Sequence, residues 1–444
     1  MSSTSGGLRE LGMDLVSGAQ WERGLAVFAE AVRRSPNDHR SRMLAARCYE
    51  KLGEVERAVT VLQACAEGLL RRDYLLSAMA ACKLALALSP TERRLIDTLD
   101  RIYSRAARSA AGRAAVPPPL PPEALFDGAG LEDLMAMAGS ELSDKAIEVL
   151  ATPDTSVNAD PSTRPPLPLF SELDRDAFCD LVTLMGYRSF DDGEPMSQEG
   201  QGGEMIMVLV AGKAEVTRVI EGKPKALAFL GGGSIFGELS LLTGTAPTAS
   251  VTSCGDTEVF EIGREHLNQL ARKHPSVNQV LAAFAQARMA KNLFATSPLF
   301  QQIPDFERAA LLSRFAFRAL QSGEKVLTEG EHSPGVFLVL AGELVVQKED
   351  PSGGVVSLGI LREGDVAGEI SLMTGLRATA TVLATRKTAT AFIDRTQFLD
   401  LLKSYPTIRS YLEGLSERRL KMIGEALRPA EILDADELVM EPNA

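Results

Sequence analysis

No hydrophobic stretch in this chain approaches the roughly 18 to 20 residues that a helix needs to cross a bilayer. Its opening, "MSSTSGGLRELG", also lacks the apolar core of a secretory leader. These two absences lead to the expectation of a cytoplasmic protein. Positive charge is scarce as well: 47 Lys and Arg stand against 59 Asp and Glu, a net charge of −12 over 444 residues. That balance argues against wrapping nucleic acid, because such affinity comes mainly from Lys and Arg displacing counterions along the phosphate backbone. The five cysteines, Cys48, Cys65, Cys82, Cys179 and Cys254, are odd in number and never closely paired. They form neither a disulfide framework nor a zinc knuckle and read as small buried apolar residues. His39, His266, His274 and His332 are scattered without metal-ligand spacing, so no metal site is expected. Carboxylates are plentiful, yet no nucleophile, base and orienting group can be assembled from the sequence, and the chain is not expected to be an enzyme.

What is present is ordinary core material, 45% apolar and 24% charged. A chain of this length exceeds one hydrophobic core and calls for about three domains. Residues 1–110 read as successive amphipathic helices. In "WERGLAVFAEAVRRSP" the residues Gly24, Phe28, Ala31 and Pro36 keep the small, large, small and terminator spacing of a packed helical hairpin. Ala78, Cys82, Ala85 and Pro90 repeat it, and Cys48, Cys65 and Cys82 fall 17 residues apart, half of a 34-residue period. Such a helix–turn–helix period resembles tetratricopeptide repeats, which stack into surfaces that bind peptides and proteins. An ordinary helical bundle is the competing reading.

Residues 111–168 change character, with "VPPPLPP" at 116–122 and "TPDTSVNADPSTRPPLP" at 152–168. Proline at this density prevents regular backbone pairing, so a linker tethering independent modules is expected, with one or two short helices in "GLEDLMAMAGSELSDKAIEVL". From 168 onward the chain repeats itself. "PLFSEL" at 168 answers "PLFQQI" at 298, "VLVAGKAEV" at 208 answers "LVLAGELVV" at 338, and "FGELSLLTG" at 236 answers "AGEISLMTG" at 367. The offset is 130 residues, then 131 after the loops holding "EGKPKA" and "PSGGVV". Two tandem copies of one domain follow, 169–296 and 297–430, each of short β-patterned runs punctuated by glycine and closed by helices. An acidic tail, 431–444, ends the chain. Glycine-rich "LGGGS" at 230–234 lacks the Gly-Lys-Ser/Thr ending of a phosphate loop and reads as a β-turn.

Gly193, Gly200 and Gly212 match Gly323, Gly330 and Gly342, and each copy carries a Gly-Glu-(Leu/Ile)-Ser cassette. On these residues both copies resemble the cyclic-nucleotide-binding domain of catabolite activator proteins, kinase A regulatory subunits and gated channels. The fold class implied is an all-α helical repeat followed by two α+β β-rolls of the jelly-roll type. In that family the cassette glutamate binds the ribose 2′-hydroxyl, and an arginine nine or ten residues later binds the cyclic phosphate with backbone N–H groups of the short helix. The resemblance implies a site of Gly368, Glu369, Ile370, Ser371, Arg377, Thr379 and Thr381 in the second copy, for cyclic AMP or cyclic GMP. In the first copy it implies Gly237, Glu238, Leu239, Ser240 and Ser250. The arginine is out of place in both: Pro247 holds its position in the first, and in the second Ala378 holds it with Arg377 one residue early.

After "TIRSYLEGLSERRLKMIGEAL" only seventeen net acidic residues remain, too few for a DNA-reading helix–turn–helix, so DNA is not an expected partner. No Arg-Arg-x-Ser/Ala inhibitor segment stands in the proline-rich stretch, which places a kinase-inhibitor role third. The first reading is a non-enzymatic signalling adaptor, with residues 1–110 binding a protein partner and the rolls serving as interaction or vestigial sensor modules. A working sensor through the second copy is the alternative. Leu412, Leu415, Leu420, Ile423 and Leu427 form a stripe on the last helix that either pairs two chains or packs on its own roll.

Overall fold

The computed structural model describes residues 3–106, 125–126, 131–153, 167, 169–220, 222–297, 299–300, 303, 311, 314–349 and 354–426. Six helices come first: α1 (Ser5–Ser17), α2 (Trp21–Arg34), α3 (His39–Lys51), α4 (Val55–Arg71), α5 (Leu75–Leu88) and α6 (Arg93–Ala106). Each packs on the next. α1, α3 and α5 begin at residues 5, 39 and 75, and α2, α4 and α6 at 21, 55 and 93, so the interval starts at 34 and lengthens along the array.

Local chemistry sets these helices. Asp38 caps α3 by accepting the Ser41 N–H at 3.0 Å. Arg33 and Arg34 in the last turn of α2 complement its dipole and clasp the buried Glu30 at 2.7 and 2.5 Å. Those contacts draw the Glu30 carboxyl below its ordinary range against the opposing effect of burial. A Cβ on Gly24 would lie 2.5 Å from Val16 Cγ1, so glycine there lets α1 and α2 close together. Phe28, Ala31, Ala78 and Ala85 are fully buried as their spacing predicts, and so are Cys48, Cys65 and Cys82. Burial pushes the Cys48 and Cys65 thiols up to about 12, which leaves them unreactive.

Two short strands, β1 (Ser3–Thr4) and β2 (Leu125–Phe126), pair antiparallel. Within the proline-rich stretch, α7 (Leu131–Ala136) and α8 (Gly139–Leu150) form as expected. The flanking segments 107–124 and 154–166 lie outside the described residues.

The first roll holds α9 (Arg175–Leu184), β3 (Gly186–Phe190), β4 (Pro195–Ser197), β5 (Met205–Ala211), β6 (Lys213–Ile220), β7 (Lys223–Gly231), β8 (Ile235–Phe236), α10 (Glu238–Thr243), β9 (Ser250–Ser253) and β10 (Thr257–Gly263). Helices α11 (Arg264–Lys273) and α12 (Val277–Thr296) follow. Its sheets run β3-β10-β5-β8 and β4-β9-β6-β7. The second roll holds β11 (Ala316–Leu320), β12 (Lys325–Leu327), β13 (Gly335–Ala341), β14 (Leu344–Glu349), β15 (Val355–Leu361), β16 (Val366–Ala367), α13 (Glu369–Thr374), β17 (Thr381–Ala384) and β18 (Thr388–Asp394). Helices α14 (Arg395–Ser404) and α15 (Pro406–Ala426) complete it. Its sheets run β11-β18-β13-β16 and β12-β17-β14-β15, the same order strand for strand. Equivalent core positions are filled alike: Phe190, Met196, Met207, Leu209 and Val251 in one, Leu320, Val326, Phe337, Val339 and Val382 in the other. The "LGGGS" stretch is the expected turn, with the Gly233 N–H donating to Leu209 O at 2.7 Å.

By contact the chain divides into two units, 1–241 with 249–284, and 242–248 with 285–444. The helical array and first roll thus fall in one unit by contact. Arg175 of α9 grips Asp100 of α6 through two bonds of 2.7 and 2.5 Å. The Tyr103 hydroxyl donates to Leu173 O at 3.0 Å, and its ring stands 5.4 Å from Phe178. Arg40 of α3 reaches Asp256 at 3.0 Å. Sequence composition marked the proline-rich break but carried no sign of this interface, whose members lie 70 or more residues apart.

The matched glycines differ in what they carry. Gly342 (φ +98°) has no room for a side chain, since a Cβ would lie 2.5 Å from Thr388 Oγ1 and 2.7 Å from Thr388 Cα. Gly323 (φ +84°) faces open space. In urea unfolding, Gly323→Ala is expected to cost about 1 kcal/mol and Gly342→Ala more than about 3 kcal/mol; equal losses would contradict this assignment.

Candidate ligand-binding site

Between β16 and α13 the chain turns from strand to helix on a single residue. Gly368 takes φ +94°, and a Cβ there would lie 2.4 Å from Gly335 O, so only glycine allows the turn. The next residue, Glu369, is thereby carried inward and is 1% exposed. It borders a cavity of about 240 Å³. Leu327, Val346, Ala380 and Val382 supply apolar walls, β15 supplies Leu358 to Leu361, and α15 closes one side with Arg419, Met422 and Ile423.

Arg419 is the polar partner in this cavity. Its Nη1 donates to Glu369 Oε1 at 2.6 Å and to Val366 O at 2.6 Å. Burial pushes the Glu369 carboxyl above its ordinary value, and the Arg419 guanidinium pulls in the opposite direction. The closing helix α15 thus supplies the counter-charge to the buried carboxylate of the cassette. Sequence reasoning missed Arg419. The signal was a charged residue falling on the face defined by Leu412, Ser416 and Ile423, at helical intervals of four, three and four.

Of the positions that the cassette implied in the second roll, Gly368, Glu369, Ile370, Ser371 and Thr379 line the cavity. Ser371 turns its hydroxyl to Leu376 O at 2.5 Å. Thr381 lies away from it, its Oγ1 accepting the Glu329 N–H at 3.0 Å. Arg377 does not join Glu369: it is exposed and donates from Nη1 to Gly330 O at 2.9 Å. The reason is local. Ala378 N–H donates to Glu331 O at 2.8 Å and Gly330 N–H to Ala378 O at 2.9 Å. This pairing holds the segment extended, and neighbours in an extended chain point to opposite sides. Ala378 therefore faces inward, and Arg377 faces an adjoining groove with Glu329, His332 and Lys348. Lys348 is held there by Glu329 and by Thr379 O at 2.9 Å.

In the first roll Gly237 (φ +79°) makes the same turn, with its Cβ position 2.3 Å from Met205 O. Glu238 and Ser240 are buried and Leu239 half-buried. The Ser250 hydroxyl accepts the Glu199 N–H at 3.0 Å, and Pro247 is buried where the resemblance implies a guanidinium. Arg264 of α11 donates to Leu241 O at the end of α10. On the closing helix of the second roll, Leu412 is buried and Leu415, Leu420 and Ile423 are half-buried; Leu427 lies outside the described residues. Part of that stripe is therefore spent on its own roll, where α15 packs on α13, α14 and β15. No group of His, Cys, Asp and Glu suited to a metal ion occurs among the described residues, and no described helix is long and apolar enough to cross a membrane.

Two duplicated eight-stranded rolls, each with a glycine-led glutamate at the head of a short helix, define a class of small-ligand-binding domain. Residues 187–274 and 317–405 match the family described as the cyclic nucleotide-binding domain. The chain thus carries two tandem domains of this type, resembling those of kinase A regulatory subunits. It is 26% identical over 265 residues to a cAMP-dependent protein kinase regulatory subunit of Mycosarcoma maydis, covering 57% of this chain and 48% of that protein. It is 24% identical over 244 residues to human cGMP-dependent protein kinase 2, covering 54% of this chain and 30% of the kinase. Against the first of these the chain spans about half the relative's length. Among solved structures it is similar to the regulatory domain of Toxoplasma gondii PKA with cAMP, at 21% identity and a TM-score of 0.29, covering 56% of this chain and 92% of that one.

Removing Arg419 leaves a buried carboxylate without its cation. Arg419→Ala is expected to destabilise the second roll by about 2 to 3 kcal/mol, below the full cost of breaking a buried pair because the arginine is part-exposed. Combining it with Glu369→Gln should recover much of the loss, and Arg377→Ala should stay within about 0.5 kcal/mol. Chemical denaturation of the three variants checks this; an equal loss for Arg377→Ala and Arg419→Ala would refute it.

Proposed function

We propose that this chain is a non-catalytic regulatory protein whose second roll is a sensing site and whose helical array binds a protein partner. The observation that carries the reading is a buried glutamate at a cavity whose lid is a helix and whose counter-ion comes from that lid. A ligand hydroxyl on Glu369 competes with Arg419, so occupancy and the position of α15 are linked. A ligand moves the helix only as far as it binds one arrangement better than the other. The relatives' names point to cyclic AMP or cyclic GMP as the ligand class, seated by its sugar edge on Glu369 with the base against Leu358, Ile360 and Met422.

The phosphate edge is weakly provided for. Ala378 replaces the cation, and losing one side of a buried charge pair costs about 2 to 5 kcal/mol, or roughly thirty-fold to several thousand-fold in affinity. The first roll, with Pro247 at that place, serves in this reading as an interaction module joined to the array. A partner of the kind that regulatory subunits bind, through the helical array, fits the adaptor role, and pairing of two chains through α15 remains part of the proposal for the exposed remainder of its stripe.

Calorimetric titration of the full chain with cyclic AMP and cyclic GMP, up to millimolar, tests the sensing site. Weak binding abolished by Glu369→Ala is expected. Ala378→Arg, which restores a guanidinium on the inward face, should tighten it at least about tenfold. A chain with Ala378→Arg that still ignores both nucleotides retires the reading.

A further inference from the structure

The segment between the proline-rich stretches is not free of the array: α7 and α8 lie on it. Leu131 and Met135 of α7 pack against Leu8, Val27 and Ala31 of α1 and α2. From α8, Leu142, Ala146 and Leu150, spaced i, i+4 and i+8, are buried on α2 and α4. Polar contacts then fix register. The Tyr49 hydroxyl donates to Ser143 O at 2.9 Å, and the Ser143 hydroxyl donates to Glu54 at 2.6 Å. Arg57 meets Asp144 at 2.5 Å, the Gly139 N–H donates to Glu22 at 3.2 Å, and Arg42 donates to Thr152 O at 2.8 Å. Five array side chains thus read one short helix by its apolar face, its backbone and its charge.

Such a set of contacts describes a receptor groove with a helix already in it. We infer that the face of α2, α3 and α4 is a recognition site for a short amphipathic helix carrying Leu, Ala and Leu at i, i+4 and i+8 with Ser and Asp beside them, and that α8 occupies it in cis. This rests on reading the array as the partner-binding part of the chain. Two features favour exchange over permanence. A twelve-residue helix is marginal alone and depends on its dock, and the sequences on both sides are rich in proline, the composition of a linker and not of a packed element. Tethering sets the strength of closure. At an effective concentration of about 1 mM, a helix that binds in trans at about 10 μM blocks the groove about 100-fold.

The test uses a labelled peptide of residues 137–153 and the full chain. Leu142→Asp with Leu150→Asp in the chain should empty the groove, and that chain should then bind the peptide at micromolar concentration, about 100-fold tighter than the unaltered chain does. A peptide carrying Leu142→Asp should not bind. A folded double variant that fails to take up the peptide overturns the inference, as does equal uptake by both chains. Should the double variant not fold, proteolytic cuts on both sides of the segment replace it. Release of 131–153 on dilution and its recapture by the array support the inference, and a fragment that never leaves overturns it. Nucleotide titration of the second roll is a separate readout, so the sensing reading and this one fail independently.

Discussion

One buried carboxylate and the guanidinium that meets it organise the second roll. Glu369 sits where desolvation makes an unpaired charge expensive. The positive group comes from α15, fifty residues downstream, so the site is complete only with the helix in place. The pair fastens α15 to the roll at the cavity wall. In the sensing proposal, ligand binding and helix position would draw on this same electrostatic contact.

Duplication makes the contrast between the rolls informative. Strand order is the same in both, the matched glycines bend the same turns, and the cores use equivalent positions. What differs is the residue nine places after the cassette glutamate, Pro247 in one and Ala378 in the other. Fold is held by many small apolar contacts, each replaceable by a similar neighbour, while anion recognition rests on one side chain. A change at that one position leaves the architecture untouched, and in the sensing proposal it sets how tightly a phosphate is held.

Much of the architecture could be read in advance because it is written in periodicity and glycine. The 130-residue self-similarity announced two copies, and the glycines marked left-handed turns that the structure contains. The spacing of Gly24, Phe28 and Ala31 announced helices that pack closely. The outward turn of Arg377 was not legible, since it follows from a backbone pairing between residues 330–331 and 378 that no local pattern reveals. Arg419 was hidden for a different reason: its partner is fifty residues away, and in the sequence it reads as one more charge on an exposed helix. The union of array and first roll was likewise invisible, because Asp100, Tyr103, Phe178 and Arg175 become neighbours only through the fold.

That union bears on how the molecule is divided. The rings of Tyr103, Phe178, Phe170 and Phe260 follow one another at separations of 5.4, 6.4 and 6.5 Å, running from the last array helix into the heart of the first roll. A cut placed at the proline-rich stretch, where composition invites one, would strip Tyr103 from this aromatic spine and wet a surface that the intact chain keeps dry.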